Sequence, residues 1–595
     1  MRQGPVLHSV AATVTAVVLA PLALPGYVQR YDMTFVPRQP MTWEMLAPAD
    51  ALPRAVPLDA AVSAASFVMP GWLLQRIALV AIVYLAALGA ARLLPTARLL
   101  PRVVAALAYA WTPYLAERLL LGQWVLLLAY ACLPWLIIAA GDVRAGRRGG
   151  LPRLVVAAAP AALTPTGGLI ALATVAVLVP LRRRVTAVAL AAVAALNTPW
   201  LVAALTGPAG GTSDPEGVAQ FAARAENGAG VWMALAGTGG IWNAQTVPAS
   251  RESVLVPLVT VLLLAVALPG LRELRRRRPE DAVRLFVLAA AGFLLALAGV
   301  TPAAGLLEWA VVHVPGGGLL RDGQKFLIPY ALVLALGFAL GAELLAERLV
   351  RRWDAALGRV VLAAAALLPV VLLPDLAFGA LGQLRPVRYP ADFGAVAALV
   401  RERPGEVLSL PFEGYQRYAW GGGVVIRDPA PRYLDVPVLM NDALRVGPVT
   451  VDGESPRAAV VGELLARGRP AAEAGTRWVL VARGAQEPGT AALSGLRLVY
   501  DGRYLQLWEN PAAPAVLREA GTGRRAAILS AHLLAAAVVI SGVLALLLLG
   551  SRSWYRPRTH RTGEERSWPN WPRSLLRRLP GASSGSSECS RRSAP

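Results

Sequence analysis

GYVQRYDMTFVPRQPMTWEMLAPADALPRAVPLDAAVSAASFVMPG, Gly26 to Gly71, is the first long polar break in an otherwise apolar sequence. One hydrophobic run precedes it and a series of similar runs follows, each of about 20 residues, long enough to cross a hydrocarbon core roughly 30 Å thick. The stretch carries Asp32, Arg38, Glu44, Asp50 and Asp59 close to where the chain leaves the first run. The functional reading turns on which side of the membrane this loop faces and on what its carboxylates do.

Composition narrows the class. The chain has 595 residues, 56% of them hydrophobic and only 16% charged, with mean hydropathy +0.51. A water-soluble protein of this length needs more charge to cover its surface, so the chain reads as a polytopic α-helical membrane protein. Ten-residue alternating strands, the mark of a membrane barrel, are missing. The net charge of +21 would suggest nucleic acid in a soluble chain. Here the arginines concentrate in short loops between apolar runs and serve as topology signals, so no nucleic-acid partner is expected. Cys132 lies in an apolar run and Cys589 in the tail, which implies no disulfide framework. His8, His313, His532 and His560 are scattered without zinc-site spacing. Lys325 is the single lysine among 58 basic residues. It is either an accident of an arginine-rich composition or a place where an ammonium serves and a guanidinium does not.

Twelve apolar segments can be marked, several of them short and broken by Pro or Gly. Those short ones are not all expected to span alone, since irregular backbone at membrane depth survives only inside protein or beside a cavity. Arginine-rich turns such as DVRAGRRGGLPR and RELRRRR recur on one side, which places both termini in the cytoplasm and the first loop outside, in a multi-pass plasma-membrane protein. The layout expected is a membrane module over 1–378 with its first outer loop at 28–71, an extracytoplasmic α/β domain over 382–523, a last transmembrane helix over 526–550 and a disordered basic cytoplasmic tail over 551–595. An interfacial helix is expected over Leu58–Leu74. In the α/β domain, EVLSLPF and RWVLVAR read as strands, Arg457–Arg467 as a helix, and LRLVYDGRYLQLWEN as a hairpin around Asp501-Gly502.

Four constellations could carry chemistry. Asp32, just past the first helix, could act as a general base on an acceptor hydroxyl; the competing reading is a solvated loop aspartate. Arg38 lies in the same loop. In PYLAERLLLGQW, the residues Tyr114, Glu117, Arg118, Gln123 and Trp124 lie between apolar runs, where ionisable groups are functional candidates; the alternative is a Glu–Arg pair capping a helical hairpin. In GGGLLRDGQK, Arg321 and Lys325 supply two cations suited to a phosphate, beside Asp322 and Gln324; the alternative is interfacial snorkelling. In PFEGYQRYAW, the residues Glu413, Tyr415, Arg417, Tyr418 and Trp420 suit sugar stacking or equally a packed domain surface. There is no Walker motif and no GxSxG nucleophile.

RYDMTFVPRQP after the first helix, the interfacial helix that follows it, and WTPYLAERLLLGQW together resemble the GT-C superfamily of polyprenyl-phosphate-sugar-dependent glycosyltransferases. The likeness is to the actinobacterial integral membrane forms that build envelope arabinan and mannan, and it spans 1–378 in layout. It implies hexosyl or pentosyl transfer from a polyprenyl-phosphate-linked sugar donor to an envelope glycan or lipid acceptor on the outer face of the lipid bilayer. Members place an acidic catalytic residue in the first outer loop, which falls on Asp32; where some carry a paired Asp-Asp or Asp-Glu, this chain has Tyr31-Asp32. The substrate- and phosphate-binding candidates are then Arg38, Glu117, Arg118, Gln123, Arg321, Asp322, Gln324 and Lys325. Some relatives use a divalent cation and others none, and no metal ligand is assigned. The alternative is a transporter, flippase or assembly scaffold with the same helices. What separates the two is spatial: the enzyme needs Asp32 and at least one of Arg321 or Lys325 to face one outward-open cavity.

Overall fold

The computed structural model describes residues 3–50, 55–179, 184–207, 213–484, 488–514 and 517–554. The basic tail expected over 551–595, with Cys589 and His560, lies outside them from residue 555 onward.

The chain is a multi-pass helical membrane protein with a sheet-containing C-terminal domain. Among the described residues, nine helices are long and apolar enough to cross a membrane: Gln3–Ala23, Gly71–Leu93, Trp124–Arg144, Arg184–Leu205, Leu255–Arg277, Pro279–Ala298, Gly323–Arg352, Ala355–Leu372 and Thr522–Leu549. The other three apolar segments are the shorter helices Leu99–Ala110, Gly150–Leu163 and Pro165–Leu178. Burial ranks the long ones. The apolar window of Gly323–Arg352 is 83% buried and that of Thr522–Leu549 only 6%, so the former is the hub and the latter turns its apolar side chains outward, as lipid allows. The hub packs on Leu255–Arg277 through small residues: a Cβ at Gly270 would lie 1.8 Å from the Gly337 carbonyl oxygen, and one at Gly341 1.8 Å from that of Val266. Close backbone approach of this kind drives association where no hydrophobic force acts between helices.

Local signals start and stop these helices. Pro113 opens Pro113–Leu120 behind Thr112, whose hydroxyl accepts from the Leu115 amide at 3.2 Å; proline is favoured at that first position because its missing N–H would be unpaired there anyway. The same device, Ser455 before Pro456, opens Pro456–Ala466. The interfacial helix expected over Leu58–Leu74 ends at Ser66, and a new helix starts at Gly71. Between them Phe67 and Val68 are exposed.

The C-terminal sheet has five strands in the order Arg497–Asp501, Leu505–Glu509, Trp478–Ala482, Val407–Leu410, Val438–Leu439. The last three are parallel neighbours, and the first two form an antiparallel hairpin turning at Gly502. Alternation along the strands feeds two cores. Val407, Trp478 and Leu480 meet Phe393, Val396 and Val400 of helix Ala391–Glu402. Leu408, Val479 and Val481 meet Ala458 and Val461 of Pro456–Ala466 on the other face. The first loop is sewn to this domain. Tyr27–Val28 pairs with Pro386–Val387, Tyr389 donates its hydroxyl to the Phe35 carbonyl at 3.0 Å, and Arg432 reaches Asp59 at 3.1 Å and the Thr34 carbonyl at 3.0 Å.

Candidate active site

A cavity of about 1000 Å³ lies between the first loop, the helix ends and the C-terminal domain. Its walls differ. Trp124, Leu126, Leu163, Trp200 and Ala204 give an apolar side from the membrane module, whereas Glu413, Tyr415, Arg427 and Asn441 give a polar side from the domain. Six cations line it against four carboxylates, so an anionic ligand is electrostatically favoured.

Asp32 lines this cavity, and so do Gln123, Arg321, Asp322 and Lys325. The carboxylate is held by an unusual backbone. Tyr31 takes φ of +44°, a left-handed conformation that costs a non-glycine residue on the order of 1–3 kcal/mol and needs outside support. The support comes from both sides: Tyr31 donates its amide to the Val425 carbonyl at 2.8 Å, Arg427 donates its amide to the Tyr31 carbonyl at 3.1 Å, and Asp32 donates to the Leu121 carbonyl at 3.3 Å. Gly122, at φ +78°, makes the approach feasible, because a Cβ there would sit 2.2 Å from the Arg30 oxygen and 2.4 Å from the Met33 nitrogen. At the side chain, the Tyr415 hydroxyl donates to Asp32 Oδ1 at 2.5 Å, and Gln123 Nε2 reaches Oδ2 at 3.4 Å.

Behind the wall lies a buried ion network. Arg118 is fully buried. It donates to both oxygens of Asp322 at 2.7 Å, to Gln123 Oε1 at 2.7 Å and to Gln324 Oε1 at 2.8 Å. Gln324 in turn donates to Glu117 at 3.1 Å and to the Gly239 carbonyl at 3.2 Å. Burial works against the Asp322 carboxylate, but Arg118 and then Lys325 outweigh it and hold its pKa below the ordinary value. Burial and then the neighbouring Glu226 carboxylate push Glu117 well above the usual carboxylate range. Arg251 donates to Glu226 at 2.8 Å beside it.

The candidates separate by position. Glu117, Arg118 and Gln324 do not line the cavity; they stand behind it, because a buried guanidinium must have its donors filled by carboxylate and amide oxygens. Arg38 is exposed and is not among the lining residues. Arg321 lines the cavity but is tied to Glu454 of the C-terminal domain at 3.0 Å and lies over the Phe221 ring at 5.5 Å, so its charge is already matched. Lys325, 3.6 Å from Asp322 with its side chain 28% exposed, remains the accessible cation from GGGLLRDGQK.

Of PFEGYQRYAW, Glu413 and Tyr415 reach the cavity. Tyr418 and Trp420 instead pack against Tyr389 and Phe393 in the domain core. Arg427 was invisible as a candidate: it lies in a plain strand, Ile426–Arg427, and only the fold turns it toward Asp32. Among the described residues no three His, Cys, Asp or Glu are grouped to hold a metal ion. The partners of Asp32 are a phenol and an amide, so the donor set does not fit a divalent cation.

No family model and no curated protein matches the sequence. Among solved structures, the chain is similar to the mycobacterial arabinofuranosyltransferase AftD, seen by single-particle cryo-EM, with TM-score 0.52 at 18% identity over 85% of this chain. A mutant form of AftD gives 0.50 at 18% identity, again over 85% of this chain and 41% of that one. This chain covers only 40% of AftD's own length. A looser match to ArnT from Cupriavidus metallidurans, with TM-score 0.34 at 13% identity over 86% of this chain and 94% of that one, carries no argument. Likeness at this identity speaks for architecture: the chain has a GT-C fold.

Proposed function

We propose, from a GT-C fold wrapped around this cavity, that the chain is a membrane glycosyltransferase. It moves a sugar from a polyprenyl-phosphate donor to an envelope glycan or lipid acceptor at the outer face of the plasma membrane, with both termini in the cytoplasm. The observation that carries the reading is that Asp32 and Lys325 line one cavity with an apolar side and a polar side. This is a condition a scaffold would not need. The apolar side suits a prenyl chain and the polar side a sugar and its acceptor.

Asp32 takes the proton of the acceptor hydroxyl as that oxygen bonds to the anomeric carbon. The bond from the anomeric carbon to the phosphate oxygen breaks, and the electron pair leaves with the polyprenyl phosphate. Attack from the face opposite the leaving group inverts the anomeric centre. Lys325 supplies a positive charge to stabilise that leaving group, and Asp322, itself held by Arg118, lies 3.6 Å from the lysine. The sugar is a proposal of lower resolution; since AftD is named for arabinofuranosyl transfer, a pentofuranose is the first donor to try. The test is sugar transfer by the purified chain in nanodiscs, from farnesyl-phosphoryl arabinofuranose or farnesyl-phosphoryl mannose to octyl glycosides. Asp32→Asn is expected to lower kcat by about 100- to 10 000-fold, the range of general-base catalysis. A folded Asp32→Asn protein that transfers sugar at the wild-type rate ends the base assignment.

A further inference from the structure

The C-terminal domain does more than cover the cavity. Ile426–Arg427 pairs on one side with Tyr415–Gln416 and bridges on the other to Tyr31 in parallel register. The peptide just before Asp32 is thus an added rung of the domain's own strand. The Tyr31 and Tyr415 rings lie 6.4 Å apart, and Tyr415 projects its hydroxyl onto Asp32 Oδ1 at 2.5 Å. A hydroxyl donating to a carboxylate at such close range is among the stronger protein hydrogen bonds. Oδ2 meets Gln123 only at 3.4 Å, beyond the usual N–H···O range. One oxygen is therefore engaged and the other is kept for chemistry.

We propose that Tyr415 is the positioning residue of Asp32, so that the α/β domain is a working half of the catalytic centre and Asp32 Oδ2 is the oxygen that accepts the proton. This rests on the glycosyltransferase reading above. A domain that bound glycan at a distance would have no need to hold the left-handed Tyr31 by its amide and its carbonyl, nor to reach the carboxylate itself. The bond fixes the side-chain rotamer, and donors to a carboxylate in general favour its charged form.

The experiment is Tyr415→Phe in the full chain, with the same donors and acceptors. The expected result is kcat lower by about 10-fold or more, KM for the lipid donor roughly unchanged, and the acidic limb of the pH–rate profile moved up by about half a unit or more. Tyr415 replaced by 3,5-difluorotyrosine, a stronger donor of the same shape, moves that limb the other way. If Tyr415→Phe fails to fold, the fluorinated protein alone decides. An infrared titration needs no turnover: the carboxyl band absent from Asp32→Asn should titrate at higher pH in Tyr415→Phe than in the wild type. Coincident titrations, or wild-type kcat and pH limb in Tyr415→Phe while Asp32→Asn is inactive, overturn the positioning role and leave the base assignment standing. Wild-type transfer by Asp32→Asn overturns the base assignment itself.

Discussion

Two charged clusters lie back to back in this protein, and they are built to opposite specifications. Around Arg118 every donor of a fully buried guanidinium is turned toward an oxygen of Asp322, Gln123 or Gln324. Around Asp32 the carboxylate is half-buried, one oxygen is taken by Tyr415 and the other is loosely met. The first arrangement is a strut, since saturated buried ions have no capacity left for a ligand. The second keeps a lone pair facing a cavity. The charged residues most conspicuous between apolar runs, Glu117 and Arg118, belong to the strut, and the plainer loop aspartate belongs to the chemistry.

The comparison can be broken by crossing the two readouts. The largest effect expected is on turnover: Asp32→Asn loses its roughly 100- to 10 000-fold in kcat while the melting temperature stays near that of the wild type. Arg118→Met should do the reverse. Removing one partner of a buried ion pair leaves Asp322 uncompensated, at a cost of about 3–5 kcal/mol, so the variant should melt earlier or fail to accumulate. Denaturation in detergent and expression yield check this, and a stable Arg118→Met protein would dissolve the distinction. Lys325→Gln stands between the clusters, because Lys325 touches both Asp322 and the cavity. It should raise KM for the lipid donor and lower kcat, together about 10- to 100-fold, with a small change in melting; Lys325→Arg should restore little if an ammonium is what fits.

The smallest expected effect sharpens the comparison with a third carboxylate. Glu44 accepts from the Ala49 amide at 3.2 Å, and burial pushes its pKa up to about 7. A folded-state pKa above the unfolded one means that the protein binds this proton more tightly when folded. The stability so gained is full below the unfolded value, near pH 4.5, and is lost as pH rises through about 7. Glu44→Gln should therefore be more stable than the wild type at pH 8, by on the order of 1 kcal/mol, and not at pH 5. Melting curves at the two pH values check it; equal shifts at both would show that the ion is not what costs stability there.

Much of this architecture is legible along the chain. Apolar runs mark the helices, and the alternation in LRLVYDGRYLQLWEN marks a hairpin that does turn at Gly502. Asp32, Arg321 and Lys325 are candidates on local signs, an acid just past the first span and two cations beside a glycine run, and all three line the same cavity. Arg321 and Arg118 show where such signs stop. Arg321 is a candidate as a cation beside a glycine run and Arg118 as a charge between apolar runs; the fold gives one to Glu454 and the other to Asp322.

Composition and the local pattern of apolar residues determined that this is a membrane protein of many helices with a small sheet domain, because transfer of side chains out of water depends on local sequence and on little else. Which charges work and which merely hold was decided only by tertiary structure. Asp32 and Tyr415 are 383 residues apart, Arg118 and Asp322 204, and Arg321 and Glu454 133. A charge is a strut or a reagent according to its partners within a few ångströms, and nothing local in the chain says which distant residue will arrive there.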